Sequence, residues 1–256
     1  MGRLMAQVVI DNPQLSLGGL AVREGDQRVG KTGADALALT GCDTVITGAS
    51  AEVFAASDAV IDFTLPEATA THLQQAVDAK TALLIGTTGL DAGQESAIDR
   101  AGQQIPIILA ANTSLGVNLL LDTVARVAGA LPADLADIEV VEMHHGAKVD
   151  APSGTALALG RAAAAGRGVS LAEVQRLSRE GYTGTRPEGE IGFATLRGGD
   201  VVGEHTVIFA MAGERIEITH RCTDRAVFAR GAVRGAQWLA GQSAGRYTMA
   251  DVLGIA

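Results

Sequence analysis

Residues 142 to 155 read Glu-Met-His-His-Gly-Ala-Lys-Val-Asp-Ala-Pro-Ser-Gly-Thr, which sets two adjacent imidazoles, an ammonium and a Pro-Ser-Gly-Thr turn in one short span. The apolar run IEVVEM (138–143) before the histidines reads as a strand. His144 and His145 then stand where the chain leaves a sheet, at a carboxyl edge of the kind on which α/β proteins place reactive groups. Neighbouring strand side chains point to opposite faces, so one metal ion held by both histidines is awkward and no metal is expected. Two different roles are expected instead. Residues 151–155 precede the helix former ALALGRAAA, so the N–H groups of Gly154 and Thr155 open a helix and offer a dock for a carboxylate. Ser153 reads as the helix N-cap and Asp150 as a brace for the turn. With Lys148 and two imidazoles, the segment gathers positive charge in a chain of formal net charge −9, an arrangement suited to a small dianion. An imidazole or the Lys148 ammonium supplies a proton at the same place.

The elements that must carry this segment follow from the apolar pattern. Short β-rich runs, DTVITG (43–48), DAVIDF (58–63), TALLIG (81–86) and IPIILA (105–110), alternate with helical stretches at 67–79 and 92–102, which reads as βαβ units on a parallel sheet. Pro66 sits where the first of these helices begins. An apolar helix follows at 115–131. The strands after it are 138–143, 190–197, 203–211 and 214–221, the last two joined by the turn Ala212-Gly213, which indicates a mixed or antiparallel open sheet. The Ala/Gly-rich stretch 162–168 reads as a loop after a helix. The fold class is thus α/β: a nucleotide-type α/β domain over 1–114, with a closing helix in 224–256 packing back on it, and a second, α+β domain over 115–223 with a mixed open sheet.

In the first half, the Gly86-Thr87-Thr88-Gly89 turn follows a buried strand, and glycine there lets backbone approach a ligand. The stretch Ala110, Ala111, Asn112 and Thr113 follows the next strand in the same way. Arg23 stands after LGGLAV, where an acidic residue would meet the ribose hydroxyls of NAD; an arginine there suits the 2′-phosphate of NADP. The acidic balance and the lack of basic runs interleaved with aromatics exclude nucleic acid as a partner. Cys42 and Cys222 follow no ligand spacing, no stretch reaches the length of a membrane span, and there is no signal peptide, so a cytoplasmic protein is expected.

These motifs resemble the dihydrodipicolinate reductase family: E-x-H-H-x-x-K-x-D-A-P-S-G-T-A together with IDFTLPEAT (61–69), IGTTGL (85–90), AANTSLGVN (110–118), EIGFATLRGGDVVGEHTVIF (190–209) and ERIEITHR (214–221). The resemblance spans nearly the whole chain. It implies hydride transfer from NADPH or NADH to a cyclic dicarboxylate imine on the route to diaminopimelate and lysine. His144 and Lys148 match the family's proton-transfer pair, and His145, Gly154 and Thr155 the groups that hold substrate carboxylate. The loops at Gly86, Thr87 and Thr88 and at 110–113 match those that contact the nicotinamide nucleotide. It implies too that 1–114 is a Rossmann-like dinucleotide-binding domain and 115–223 an α+β substrate and oligomerisation domain, with a homotetramer formed through the second domain's sheet. Set against this, the residues alone leave open a nicotinamide-independent lyase or dehydratase, with Lys148 even forming a Schiff base, or a non-catalytic protein. The opening Met1-Gly2-Arg3-Leu4-Met5 matches only the tail of the family's glycine-rich loop, so its first strand is expected upstream of Met1. Without that strand, about four buried aliphatic side chains worth roughly 1.5–3 kcal/mol each would be lost and pyrophosphate binding would weaken.

Overall fold

The structure is a computed structural model that describes residues 1–255. It divides into two compact units, Met1–Leu115 with Ala226–Ala256, and Gly116–Arg225. In chain order the first unit carries α1 (Gly2–Ile10), β1 (Leu20–Ala21), α2 (Gly33–Leu37), β2 (Ile46–Thr47), α3 (Ser50–Ala55), β3 (Ala59–Asp62), α4 (Pro66–Ala79), β4 (Ala82–Ile85), α5 (Ala92–Ala101) and β5 (Pro106–Leu109). The second holds α6 (Leu115–Ala130), β6 (Asp137–His144), α7 (Gly154–Gly166), α8 (Leu171–Val174), β7 (Gln175–Arg176), β8 (Ile191–Arg197), β9 (Gly203–Met211) and β10 (Glu214–Cys222). The chain then returns to the first unit with α9 (Ala226–Leu239), β11 (Gly245–Tyr247) and α10 (Met249–Leu253).

In the first unit, every residue of β4 is buried, as a parallel strand covered on both faces must be. The sheet runs β11-β5-β4-β3, all parallel, with Ile61 beside Leu84 and Leu84 beside Ile108. Alternation sends Leu83, Ile85 and Ile107 to one face, against Leu73 and Ala76 of α4 and Ile98 of α5. Leu84 and Ile108 go to the other, against Met5 of α1 and Ala229, Ala232 and Val233 of α9. Pro66 starts α4, and Asp91 and Gln94 close a capping box at the start of α5. The pair β1 and β2 is also parallel, but it is not hydrogen-bonded to the four-stranded sheet. A continuous doubly wound sheet needs a strand between these pieces, and the described residues supply none.

In the second unit the sheet order is β10-β9-β6-β8-β7. Central β6 pairs antiparallel with β9 and parallel with β8, which makes the sheet mixed. Its alternating row faces inward: Ile138 and Val140 pack with Leu159 and Ala163 of α7 and with Phe209 of β9, and the same row then continues as Glu142 and His144. On β9 the inward row runs from Phe209 and Val207 back to His205. The apolar face of the sheet thus ends in buried polar groups, and this positions the site.

One expectation is corrected. The Ala/Gly-rich stretch expected as a loop lies largely inside α7, which extends to Gly166. Ala163 and Ala164 are buried there, and a Cβ on Gly166 would stand 2.2 Å from the Ala125 carbonyl oxygen of α6. Small residues that read as loop composition are the ones that let two helix backbones approach closely.

Candidate active site

The second unit brings together the residues of the 142–155 segment. His144 ends β6 with only 8% of its surface exposed. Its Nδ1 lies 2.6 Å from Glu142 Oε2, and its carbonyl accepts from the Gly198 N–H at 2.9 Å. His145 is half-buried and its N–H donates to the Val201 carbonyl at 2.7 Å, so both histidines are tied by backbone to the β8–β9 turn. Lys148 Nζ donates to Asp150 Oδ1 at 2.7 Å, and the Lys148 ammonium beside Asp150 holds that carboxyl below the usual carboxylate range. Asp150 therefore does more than brace a turn: it partly neutralises the cation that the sequence suggested was available. Gly154 and Thr155 open α7 behind the N-cap Ser153, whose Oγ accepts from the Ala156 N–H. No atom stands within 4 Å of where a Cβ on Gly154 would sit, so this turn of backbone is open on that side.

Four further residues complete the site, none of them assigned this part from the sequence. Glu142 accepts from Arg197 Nη1 and Nη2 at 2.8 and 3.0 Å and from the Ser153 N–H at 3.0 Å. Burial pushes the Glu142 carboxyl up, but the hydrogen bonds from Arg197, His144 and the Ser153 N–H outweigh it and leave the pKa below its ordinary value. Ser153 Oγ lies 3.1 Å from His205 Nε2, and the His205 ring meets His144 edge-on at 5.1 Å. Burial above all, with the His144 and Lys148 side chains close by adding to the effect, pushes His205 down to about 4. His205 is therefore neutral at neutral pH. Its cross-strand partner His220 is lowered by burial as well. The one signal in the sequence was an acid, Glu142, at a position where the strand's alternation demands an apolar residue.

The first unit places the other expected residues. β4 and β5 are neighbours, so Gly86, Thr87 and Thr88 and the stretch 110–113 follow adjacent parallel strands at one sheet edge. Two of these side chains are committed to the fold. Thr87 is buried, with its Oγ1 accepting from the Thr64 N–H at 3.1 Å, and Thr113 is buried, with its Oγ1 donating to the Phe228 carbonyl at 2.7 Å. They fix the loops, and any contribution they make to a ligand has to come through backbone. Ala110 is anchored by its N–H to the Ile85 carbonyl at 2.9 Å, Ala111 is exposed, and Asn112 Oδ1 accepts from the Ser114 N–H at 2.9 Å. Arg23 is exposed just beyond β1. Glycine and alanine at the carboxyl ends of parallel strands, with an exposed arginine in place of an acid after β1, fit a nicotinamide nucleotide. Among the described residues no group of three or more His, Cys, Asp or Glu side chains could hold a metal ion, and no helix is long and apolar enough to cross a membrane.

Residues 1–113 match the family model described as dihydrodipicolinate reductase, N-terminus, and residues 116–253 the one described as dihydrodipicolinate reductase, C-terminus. The chain is 49% identical over 255 residues to a 4-hydroxy-tetrahydrodipicolinate reductase of Ruegeria sp. (strain TM1040), covering 100% of this chain and 94% of the relative. It is 47% identical over 261 residues to one of Acinetobacter baumannii (strain AYE), covering 100% and 93%. A solved dipicolinate-bound dihydrodipicolinate reductase from Paenisporosarcina sp. TG-14 shares the fold with a TM-score of 0.73 at 20% identity, over 96% of this chain and 92% of that one. With both family models matched end to end and relatives this similar over its full length, the chain belongs to the dihydrodipicolinate reductase family.

Proposed function

We propose that this protein reduces 4-hydroxy-tetrahydrodipicolinate to tetrahydrodipicolinate with NADPH or NADH, in the route to diaminopimelate and lysine. The observation that carries the reading is His144, held by Glu142 at the end of β6 on the loop that bears Lys148 and leads into the first turn of α7. One carboxylate of the substrate docks on the Gly154 and Thr155 turn, where amides and helix dipole favour an anion, and His145 assists. The substrate hydroxyl leaves as water once it takes a proton, which His144 and Lys148 deliver. The nicotinamide, when bound, supplies the hydride. Arg23 would meet its 2′-phosphate, and the backbone of residues 86–88 and 110–113 would line its site.

A Schiff base on Lys148 is disfavoured because its ammonium is ion-paired to Asp150 Oδ1 at 2.7 Å, a pair that a nucleophilic amine would first have to break. A homotetramer in the cytoplasm completes the proposal. In support of assembly, β10 is an edge strand with a largely exposed pattern that includes Ile216 at 40% exposure. The test is the absorbance at 340 nm of purified protein given 4-hydroxy-tetrahydrodipicolinate and NADPH or NADH. A fall that depends on substrate is expected; no oxidation of either nucleotide overturns the proposal.

A further inference from the structure

Glu142 lies on the inward row of β6, after Ile138 and Val140, with 2% of its surface exposed, a costly place for a carboxylate. All four of its lone-pair directions are taken. Oε2 faces His144 Nδ1 at 2.6 Å and Arg197 Nη1 at 2.8 Å, and Oε1 faces Arg197 Nη2 and the Ser153 N–H, each at 3.0 Å. The Arg197 guanidinium sets its positive charge against both oxygens and the Ser153 N–H adds a third donor, so the carboxyl sits there ionised, in keeping with a pKa held below its ordinary value. An ionised carboxylate only accepts, so His144 must carry hydrogen on Nδ1, and Nε2 is the ring nitrogen that gains or loses a proton.

We propose that Glu142 is a positioning residue for the reduction: it locks His144 in the tautomer with hydrogen on Nδ1, keeps Nε2 as the proton-exchanging atom, and couples this lock through the Ser153 N–H to the turn that receives the substrate carboxylate. The proposal rests on the reading of His144 as a proton-transfer group. Arg197 supplies the compensating charge, and its Nη2 also donates to the Asp150 carbonyl at 2.6 Å, so one guanidinium ties Glu142 to the loop that carries Lys148. The other ionisable groups around His144 cannot take over as acceptor. His205 stacks edge-on with its Nε2 on Ser153 Oγ, His220 lies across from it on β10, and Asp150 is paired with Lys148.

Glu142→Gln separates the possibilities, because a carboxamide has one acceptor oxygen and one donor group. An NH2 in the place of Oε1 meets two fixed donors, Arg197 Nη2 and the Ser153 N–H. In the place of Oε2 it meets Arg197 Nη1 and His144, and the imidazole can relieve its contact by moving its hydrogen to Nε2. The second arrangement leaves one donor facing a donor instead of two, so the variant is expected to switch the tautomer.

The experiment is nitrogen-15 NMR of the His144 ring in the unliganded wild-type protein and in Glu142→Gln, with steady-state kinetics of both and far-UV circular dichroism to confirm the variant's fold. The expected result is hydrogen on Nδ1 in the wild type and on Nε2 in the variant, with kcat lowered on the order of 10²-fold, KM for the dicarboxylate raised and KM for NADPH unchanged. A wild-type ring with hydrogen on Nε2 overturns the proposal whether or not the variant folds, and so does a folded variant that keeps hydrogen on Nδ1. A switched tautomer with wild-type kcat overturns Glu142 as a positioning residue for the reduction; a lowered kcat in His144→Ala would then keep His144 as the proton-transfer group, and wild-type kcat there would remove that assignment as well.

Discussion

Asp62 Oδ2 and His72 Nδ1 lie 2.9 Å apart, joining the last residue of β3 to the middle of α4. The other carboxylate oxygen of Asp62 accepts from the Thr64 N–H at 3.0 Å and from Thr64 Oγ1 at 2.6 Å, while the same N–H reaches Thr87 Oγ1 at 3.1 Å. Asp62 thereby braces the loop after β3 against the loop after β4, which is cast as a nucleotide contact. Asp62→Ala is expected to destabilise the protein by about 1–3 kcal/mol for each buried group left unpaired and to raise KM for NADPH severalfold, with KM for the dicarboxylate unchanged. Urea unfolding and steady-state kinetics check this; an unchanged KM for NADPH would detach the Asp62 cluster from cofactor binding.

Gly231 tests the second nucleotide loop. A Cβ at this position of α9 would stand 1.8 Å from the Thr113 carbonyl oxygen, a backbone atom that cannot swing aside as a side chain would. Gly231→Ala is expected to push α9 off the 110–113 loop, costing roughly 1–3 kcal/mol or more and weakening NADPH binding. Calorimetric titration with NADPH and a thermal melt measure the two effects.

His205 should make stability depend on pH. Burial lowers its folded pKa from 6.5 to about 4, so the unfolded chain takes up a proton that the folded one refuses. Its contribution is full above pH 6.5 and is lost progressively as pH falls towards about 4, a displacement worth ~3 kcal/mol. Glu142 adds to this at lower pH: its depressed folded pKa gives stability that is present above the unfolded carboxylate value and lost as pH falls through the folded one. His205→Gln should flatten the unfolding free energy between pH 6.5 and 4.5 as measured in urea. An equally steep dependence in the variant would place the titrating group elsewhere.

Chemistry and binding should separate along the 144–155 loop. Lys148→Ala or His144→Ala is expected to lower kcat by roughly 10²-fold with the fold retained. His145→Ala should raise KM for the dicarboxylate more than it lowers kcat. Wild-type kcat in both of the first two variants would remove the proton-transfer assignment, and collapsed turnover at unchanged KM would move His145 into catalysis.

Local pattern made much of this protein legible. The alternation in 203–211 and 214–221 with Ala212-Gly213 between them places a hairpin that the structure forms over Gly203–Met211 and Glu214–Cys222. Pro66, the apolar run before Gly86 and the turn before Gly154 likewise mark the start of α4, the end of β4 and the N-cap of α7, because each is set by residues within a few positions of one another. The family was legible for the same reason: its signature is contiguous. What tertiary structure alone decided is which distant groups meet. Glu142 finds Arg197 55 positions away, and Ser153 finds His205 52 positions away, because β8 and β9 pair on either side of β6 in the register that aligns their inward rows. The same holds for Thr87 and Thr113, whose side chains turn out to serve the fold, and for residues 162–166, where Gly166 packs against α6. Hydrogen-bond partners across a sheet and close helix contacts depend on register and packing over the whole unit, and no local window of sequence contains them.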